Sequence, residues 1–288
     1  MHSLSLGIYA HWRKPGAAAS LKALLTELSA HPIDVLLEEH AATIVGVDGY
    51  PLDELYERVD LIIAFGGDGT LLRLVRDLRG KLKPVMGINF GSLGFLTCFG
   101  GPEYAVAAKA IATGDYRIDD RTLLEASVER KGEVIFSQLG LNDVVVSRGD
   151  RSRLVRLDLY IESNHLTQYN ADGLIIATST GSTAYSLSAG GPIVVPSSGV
   201  FVVTPICPHV LTNRSVIVSN KSTLRLIPNG GRQHISFSVD GQDCVQLRTT
   251  TDTVIVRPAS QHLPLLLPKN LSFADILGSK LRWSGSAI

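Results

Sequence analysis

The sequence predicts an α/β domain followed by a β-rich domain, and three observations carry that expectation. Up to about residue 118 short apolar runs alternate with amphipathic stretches; after Arg121 period-two runs dominate; and the apolar run Leu61-Ile62-Ile63-Ala64 leads into the glycine turn Phe65-Gly66-Gly67-Asp68-Gly69-Thr70. The first pattern is that of a mostly parallel, Rossmann-like sheet, and the second that of a layered β-sandwich. At 288 residues the chain is long for one core, so two domains are expected. The expected divisions are 1–118 for the α/β domain, 119–265 for the β-rich domain, and 266–288 for a C-terminal segment that returns to the first domain.

Each element follows from local pattern. Residues 4–9 read as the first strand, and 15–30 as a helix because Leu21, Leu24, Leu25 and Leu28 fall on one face. Residues 32–38 and 61–65 read as strands and 70–78 as a helix. A further strand over 85–89 runs into Gly91-Ser92-Leu93-Gly94-Phe95, and 103–113 reads as a helix. The link over 114–121 is short and charged, without Pro or a Ser-rich run, so two closely apposed domains with a ligand cleft between them are expected. Strands are then expected over 123–130, 133–136, 143–147, 155–162, 174–178, 200–204, 216–218, 223–227, 235–239, 244–249 and 253–258. Pro228-Asn229-Gly230-Gly231 and Asp240-Gly241 mark turns among them. Residues 273–283 read as a closing helix.

Composition narrows the partners. Lys plus Arg and Asp plus Glu number 27 each, so no basic field favours nucleic acid or an anionic membrane, and a small polar ligand is the expected partner. The cysteines Cys98, Cys207 and Cys244 are odd in number and far apart, without paired metal-ligand spacing. They are expected to be reduced and buried in a cytoplasmic protein. The N-terminus lacks a signal peptide's basic flank and apolar stretch, and no segment reaches the roughly 18 to 20 apolar residues that span a bilayer. The histidines show no metal-ligand or triad spacing.

The glycine turn is the first candidate site. A strand that ends in a glycine turn and opens a helix presents backbone N–H groups and the positive end of a dipole to a phosphate, with Gly66, Gly67, Gly69 and Thr70 forming the cradle. Asp68 is at odds with a plain anion site, because a fixed carboxylate beside phosphate is unfavourable without a cation or a proton to accept. It reads either as a helix cap or as the acceptor of a hydroxyl proton, or an indirect ligand of Mg²⁺, in phosphoryl transfer. Arg73 stands about one helical turn beyond Gly69, reaching back to an anion or simply solvated.

The second candidate is the run from Asn170 and Asp172 to Pro192, which joins a buried strand to Thr178-Ser179-Thr180-Gly181-Ser182-Thr183-Ala184-Tyr185-Ser186-Leu187-Ser188. Hydroxyls and close backbone suit ligand oxygens and an adenine edge, and Tyr185 offers a flat face to a base. A ligand-free polar loop is the alternative. Asn142-Asp143, before a strand, reads as a grip on a ribose diol or as a turn-forming pair. Val239-Asp240-Gly241-Gln242 is the weakest signal, a hairpin turn more often than a site.

Taken together, Gly66 to Thr70, Asn142-Asp143 and the run Asp172 to Pro192 resemble the NAD kinase family over roughly residues 60–245. The glycine turn alone is shared with diacylglycerol and sphingosine kinases; the long run is the specific part. The resemblance implies phosphorylation of the adenosine-ribose 2′-hydroxyl of NAD, using ATP or inorganic polyphosphate with a divalent cation such as Mg²⁺, and assembly as a homodimer or homotetramer in which a neighbour can complete the site. It implies that Asp68 accepts the hydroxyl proton, with Gly69 and Arg73 beside the dinucleotide, and that Asn142 and Asp143 grip the adenosine half. Phe95 is implied in the adenosine pocket; Asp172, Thr183, Ala184, Tyr185, Ser186, Leu187 and Ser188 as NAD contacts; and Arg153, Asn170 and Gln242 as further polar contacts. No direct protein metal ligand is implied. The family often has Glu where this chain has the shorter Asp143. A lipid kinase would need an apolar groove in place of the hydroxyl-rich run, and a non-catalytic nucleotide-binding regulator would have no use for Asp68.

Overall fold

A computed structural model describes residues 4–10, 16–91, 93–149, 153–210, 212–229 and 234–283. The chain forms two compact units, Met1–Asp120 with Leu263–Ile288, and Arg121–His262. In the first, β1 (Leu4–Ala10), β2 (Ile33–Leu37), β3 (Leu61–Phe65) and β4 (Val85–Ile88) form a parallel sheet in the order β2-β1-β3-β4. All five residues of β3 are buried, as expected of a parallel strand covered on both faces. The helices are α1 (Ala17–Ser29), α2 (Glu39–Val45), α3 (Leu52–Arg58), α4 (Asp68–Asp77) and α5 (Tyr104–Thr113). Leu21, Leu24 and Leu28 of α1 are buried on the face their spacing predicts.

Helices α2 and α3 went unforeseen. Each has seven residues, too short for a clear helical period, and α2 is fixed by a cap, the Glu38 side chain accepting from the N–H groups of His40 and Ala41.

The second unit is antiparallel. It contains β5 (Tyr116–Arg130, from Arg121 onward), β6 (Glu133–Gly140), β7 (Asp143–Arg148), β8 (Val155–Ile161), β9 (Asn164–Ala171), β10 (Gly173–Thr178) and the one-turn helix α6 (Tyr185–Ser188). It continues with β11 (Val200–Ile206), β12 (Val216–Ser219), β13 (Leu224–Asn229), β14 (Ile235–Val239), β15 (Gln242–Leu247) and β16 (Asp252–Pro268, up to His262). One sheet runs β12-β11-β10-β7-β14-β15; the other runs β16-β13-β8-β9, with the hairpin β5-β6 joined through β5 to β16. Leu124, Leu157, Val144, Ile176, Phe201, Leu226, Phe237 and Val256 belong to one core fed by both sheets, each strand contributing alternate residues.

Strand β16 is longer than the run over 253–258 because it continues into the first unit, where Leu265 pairs in parallel with Val85 of β4. Strand β9, only one of whose first six residues is buried, carries too little period-two signal to be read. The closing helix is α7 (Phe273–Leu281), begun by a capping box of Ser272 and Asp275. Cys98 is buried as expected, whereas Cys207 is exposed, because it sits just past β11 in a turn with φ 44°. The Cys244 side chain, Pro15, Ser92 and the Gly230-Gly231 part of one expected turn lie outside the described residues. Among the described residues no helix is long and apolar enough to cross a membrane.

Candidate active site

The glycine turn lies between β3 and α4, at the carboxyl end of a parallel strand, where α/β sheets place ligands. Gly67 is the N-cap of α4 and Asp68 its first residue. Of the three glycines only Gly66 has a positive φ, 152°; Gly67 has φ −80°, and Gly69 is not among the positive-φ residues. What Gly67 and Gly69 supply is room, since a Cβ at either would meet nothing within 4 Å. Thr70 is buried and its N–H bonds Gly67 O at 2.9 Å, closing the turn.

Asp68 is held from one side. Its carboxylate oxygens accept from the N–H groups of Phe95 at 2.8 Å and Leu96 at 3.0 Å. That approach depends on Gly94, where a Cβ would stand 1.9 Å from Asp68 Oδ1. The segment after β4 therefore orients the carboxylate, and Phe95, half-buried, adjoins it through its backbone. Arg73 is half-exposed; its Nε lies 3.6 Å from Asp77 Oδ2, and Asp77 also accepts from the Tyr9 hydroxyl at 2.7 Å. Burial and the Asp77 carboxylate together push the Tyr9 phenol above its ordinary range, so it stays a neutral donor.

In the second unit the strand alternation sets a second cluster. Asp143, Val145 and Ser147 project from one face of β7 into a cavity of about 400 Å³, lined also by Asn142, Ala184, Tyr185, Ser238, Asp240 and Gly241. Asp143 is 4% exposed, and burial with the nearby Asp240 charge pushes its carboxyl up to about 7. Tyr185, at the start of α6, is 46% exposed, an aromatic face open to a planar ligand. Ala184 precedes it, and Thr183 donates its hydroxyl to Thr180 O.

Much of the hydroxyl-rich run serves the protein itself. Thr178 Oγ1 donates to Leu141 O at 2.6 Å and accepts from the Gly181 N–H, Ser179 donates to Val200 O, and Ser182 donates to Ser179 O and accepts from the Val194 N–H. Ser186 is buried with its hydroxyl 2.9 Å from that of Thr204, while Leu187 is half-buried and Ser188 exposed. This segment covers the second face of the β10–β11 pair, where Ile175, Ala177 and Val202 pack against Val194, and that is why all six residues of β10 are buried.

Asn170 and Asp172 lie at the other end. Gly173 pairs with Ser147 and Ala177 with Asp143, so the residues before β10 stand about a strand's length, roughly 15 Å, from the Asp143 end. There Asp172 Oδ1 bonds Arg148 Nε at 2.8 Å, and Asn170 O accepts from the His209 N–H. Arg153 is exposed before β8, and Gln242 opens β15 beside the hairpin turn. The second unit thus brings Asn142, Asp143, Ala184 and Tyr185 to one cavity and leaves Asn170, Asp172 and Arg153 away from it.

Sequence reasoning underrated Asp240. It stands at φ 51° before Gly241 at φ 66°, as a two-residue hairpin requires, but its carboxylate also accepts from the N–H groups of Leu141, Asn142 and Asp143 at 2.8, 2.8 and 2.9 Å. An Asp-Gly dipeptide signals the turn and gives no hint of the clamp.

A parallel sheet with a carboxylate-bearing glycine turn, and an antiparallel domain whose cavity offers an aromatic face, an amide and a buried carboxyl, are features of the two-domain nucleotide-binding proteins of the α/β class. The ATP-NAD kinase N-terminal domain matches residues 21–116 and the ATP-NAD kinase C-terminal domain residues 141–267. The chain belongs to the NAD kinase family. It is 38% identical over 280 residues to the NAD kinase of Geobacter metallireducens, covering 96% of this chain and 98% of that one. It is 40% identical over 262 residues to the NAD kinase of a Thermoanaerobacter strain, covering 90% and 92%. The structure of yeast NADH kinase complexed with NADH superimposes with a TM-score of 0.88 at 25% identity, covering 99% of this chain and 89% of that one. An Archaeoglobus fulgidus NAD kinase in complex with ATP shares the fold, with a TM-score of 0.74 at 24% identity and coverage of 98% and 100%. The protein is an enzyme of this family, catalysing ATP-dependent phosphorylation of NAD. The match starts at residue 21, so the family extends into the N-terminal stretch where no motif was legible.

Proposed function

We propose that the adenosine-ribose 2′-hydroxyl of NAD attacks the terminal phosphorus of ATP and that Asp68 accepts its proton, giving NADP and ADP. The observation that carries this reading is the Asp68 carboxylate, oriented by the Phe95 and Leu96 N–H groups in a turn where Gly67 and Gly69 leave open space on either side of it. A helix cap needs no such support from a second segment. As the new O–P bond forms, the bond to the bridging oxygen breaks, and the proton passes late to Asp68. Gly66, Gly67, Gly69 and Thr70 receive the donor phosphates, with Arg73 near them. Inorganic polyphosphate presents the same terminal group and is a second donor in this reading.

Asn142 and Asp143 bond the adenosine half, Tyr185 stacks on its ring system, and Thr183, Ala184, Ser186, Leu187 and Ser188 shape the surroundings, with Phe95 and Gln242 at the margins. Asn170, Asp172 and Arg153 engage the remainder of a dinucleotide, in keeping with a homodimer or homotetramer whose neighbouring subunit contributes them. Mg²⁺ keeps several waters and binds largely through substrate phosphates, and the open space of the turn would let such an ion meet Asp68 through water, with no direct protein ligand. When bound there beside Asp68, the cation would neutralise phosphate charge. The composition supports a cytoplasmic setting for the reaction.

Asp68→Asn tests the central assignment. NADP formation should fall about 10²- to 10⁴-fold, the range for loss of a general base, while calorimetry still detects NAD binding. Near-normal turnover would overturn the role. Product assays crossing ATP and polyphosphate with NAD and NADH settle donor and acceptor.

A further inference from the structure

We infer that Asp240 is a positioning residue for NAD binding: its carboxylate fixes the backbone of residues 141–143 and so presents the Asn142 and Asp143 side chains to the cavity. The inference rests on the proposed role of Asn142 and Asp143 in holding the adenosine half.

The backbone at 141–143 is fully accounted for. The three N–H groups donate to Asp240, two to Oδ1 and that of Leu141 to Oδ2. Leu141 O accepts from the Thr178 hydroxyl, Asn142 O from the Thr178 N–H at 2.8 Å, and Asp143 O from the Asp240 N–H at 2.8 Å. Gly181 presses on the same segment, since a Cβ there would stand 2.0 Å from Asn142 O. A carboxylate taking three N–H donors is an anion site whose anion belongs to the protein, and charge-assisted bonds of this kind are the stronger sort. With no backbone group left to satisfy, the two side chains are the polar groups this segment offers a ligand.

The same arrangement carries an electrostatic signature. Asp240 is half-buried as a residue, yet its carboxylate is turned inward; burial raises it to about 6, against the pull of the three N–H groups. Asp143, without those donors and beside that charge, is raised further, to about 7. The three N–H donors favour ionised Asp240, so of the two charges in this coupled pair the one on Asp143 is gained at the higher pH. Among the described residues lining the cavity, the titratable groups are these two and Tyr185 of α6; Val145 and Ser147 of β7 and Ser238 of β14 bear none, and neither do Ala177 and Thr178 of the neighbouring β10. A ribose hydroxyl needs an acceptor, so NAD should bind better above this transition than below it.

Asp240→Asn separates positioning from mere turn formation, because Asn-Gly suits the same two-residue hairpin and the fold should persist. The amide oxygen can replace one carboxylate oxygen, but its NH₂ then opposes a backbone N–H. The KM for NAD should rise about tenfold, the loss expected of one charge-assisted bond. The acid limb of kcat/KM for NAD should move down by about one pH unit, the low end of a like-charge shift. An acid limb that stays in place in a folded Asp240→Asn protein would overturn the inference. Asp143→Asn tests the underlying reading independently: it should abolish the limb, and a limb that persists overturns the role of Asp143 and the inference with it. In the unmodified protein, carboxyl ¹³C titrations should show Asp143 and Asp240 each responding to the other's ionisation; two independent single-step curves would also overturn the coupling.

Discussion

Single residues decide how the reacting groups are held. Asp68 depends on a glycine 26 residues away in sequence, because Gly94 alone lets the Phe95 and Leu96 N–H groups reach its carboxylate. Gly94→Ala would place a methyl group 1.9 Å from Asp68 Oδ1, so the carboxylate must swing away or the segment retreat. NADP formation should fall about tenfold or more, since small misplacements at a reacting centre are costly; steady-state kinetics measure it, and a full-rate variant would show that the orientation is immaterial. Gly181 serves the second unit in the same way. Gly181→Ala collides with the Asn142 backbone and should cost about 1–3 kcal/mol in urea unfolding, the usual range for overpacking.

At the scale of elements, the hydroxyl-rich stretch divides its labour. The sequence invites the view that its hydroxyls face a ligand, but those of Thr178, Ser179, Ser182 and Ser186 bind the segment to Leu141 before β7, to β11 and to its own turns. The reason is that the stretch lies over a sheet face and its backbone needs partners there. Ser182→Ala removes an acceptor from the buried Val194 N–H and should destabilise the fold by about 1–3 kcal/mol, the cost of an unsatisfied buried group. Thermal unfolding checks this, and the KM for NAD should change much less than the melting temperature. What remains for a ligand is the short turn around Ala184 and Tyr185. In the glycine turn Gly67 is the N-cap and α4 starts at Asp68, whose carboxylate bonds the Phe95 and Leu96 N–H groups and makes no cap bond to its own helix.

Across the whole molecule, the buried carboxyl of Asp143 links stability to pH. Its folded value of about 7 lies above the aspartate value of 3.8, so between these limits the unfolded chain has lost a proton that the folded chain keeps. Stability should therefore fall as pH rises from about 4 to 7 and level off above, by about 4 kcal/mol over that range and about 3 kcal/mol of it above pH 5, relative to Asp143→Asn, which lacks the group. Urea unfolding of both proteins at pH 5 and pH 8 measures the difference. Assembly is testable through the separation of Asp143 from Asp172 along β10. If a neighbour supplies Asp172, mixing the weakened Asp143→Asn and Asp172→Asn chains under subunit exchange should return about a quarter of the sites to full activity, because half of the symmetric dimers are hybrids with one intact site each. No recovery from an oligomer that does exchange would place both residues in the service of one subunit's site.

The sequence by itself determined the strands with clear period or continuous apolar character, the glycine turn before α4, the β-rich character of the second half and the family. Those depend on local pattern and short motifs, which survive without knowledge of partners. Only the tertiary structure decided that Asp68 is steered by residues 94–96, that most of the serine and threonine hydroxyls are spent on the fold, and that Asp240 clamps the segment bearing Asn142 and Asp143. Each is a contact between residues far apart in the chain, and a hydrogen bond or a missing Cβ leaves no period in the sequence by which it can be read.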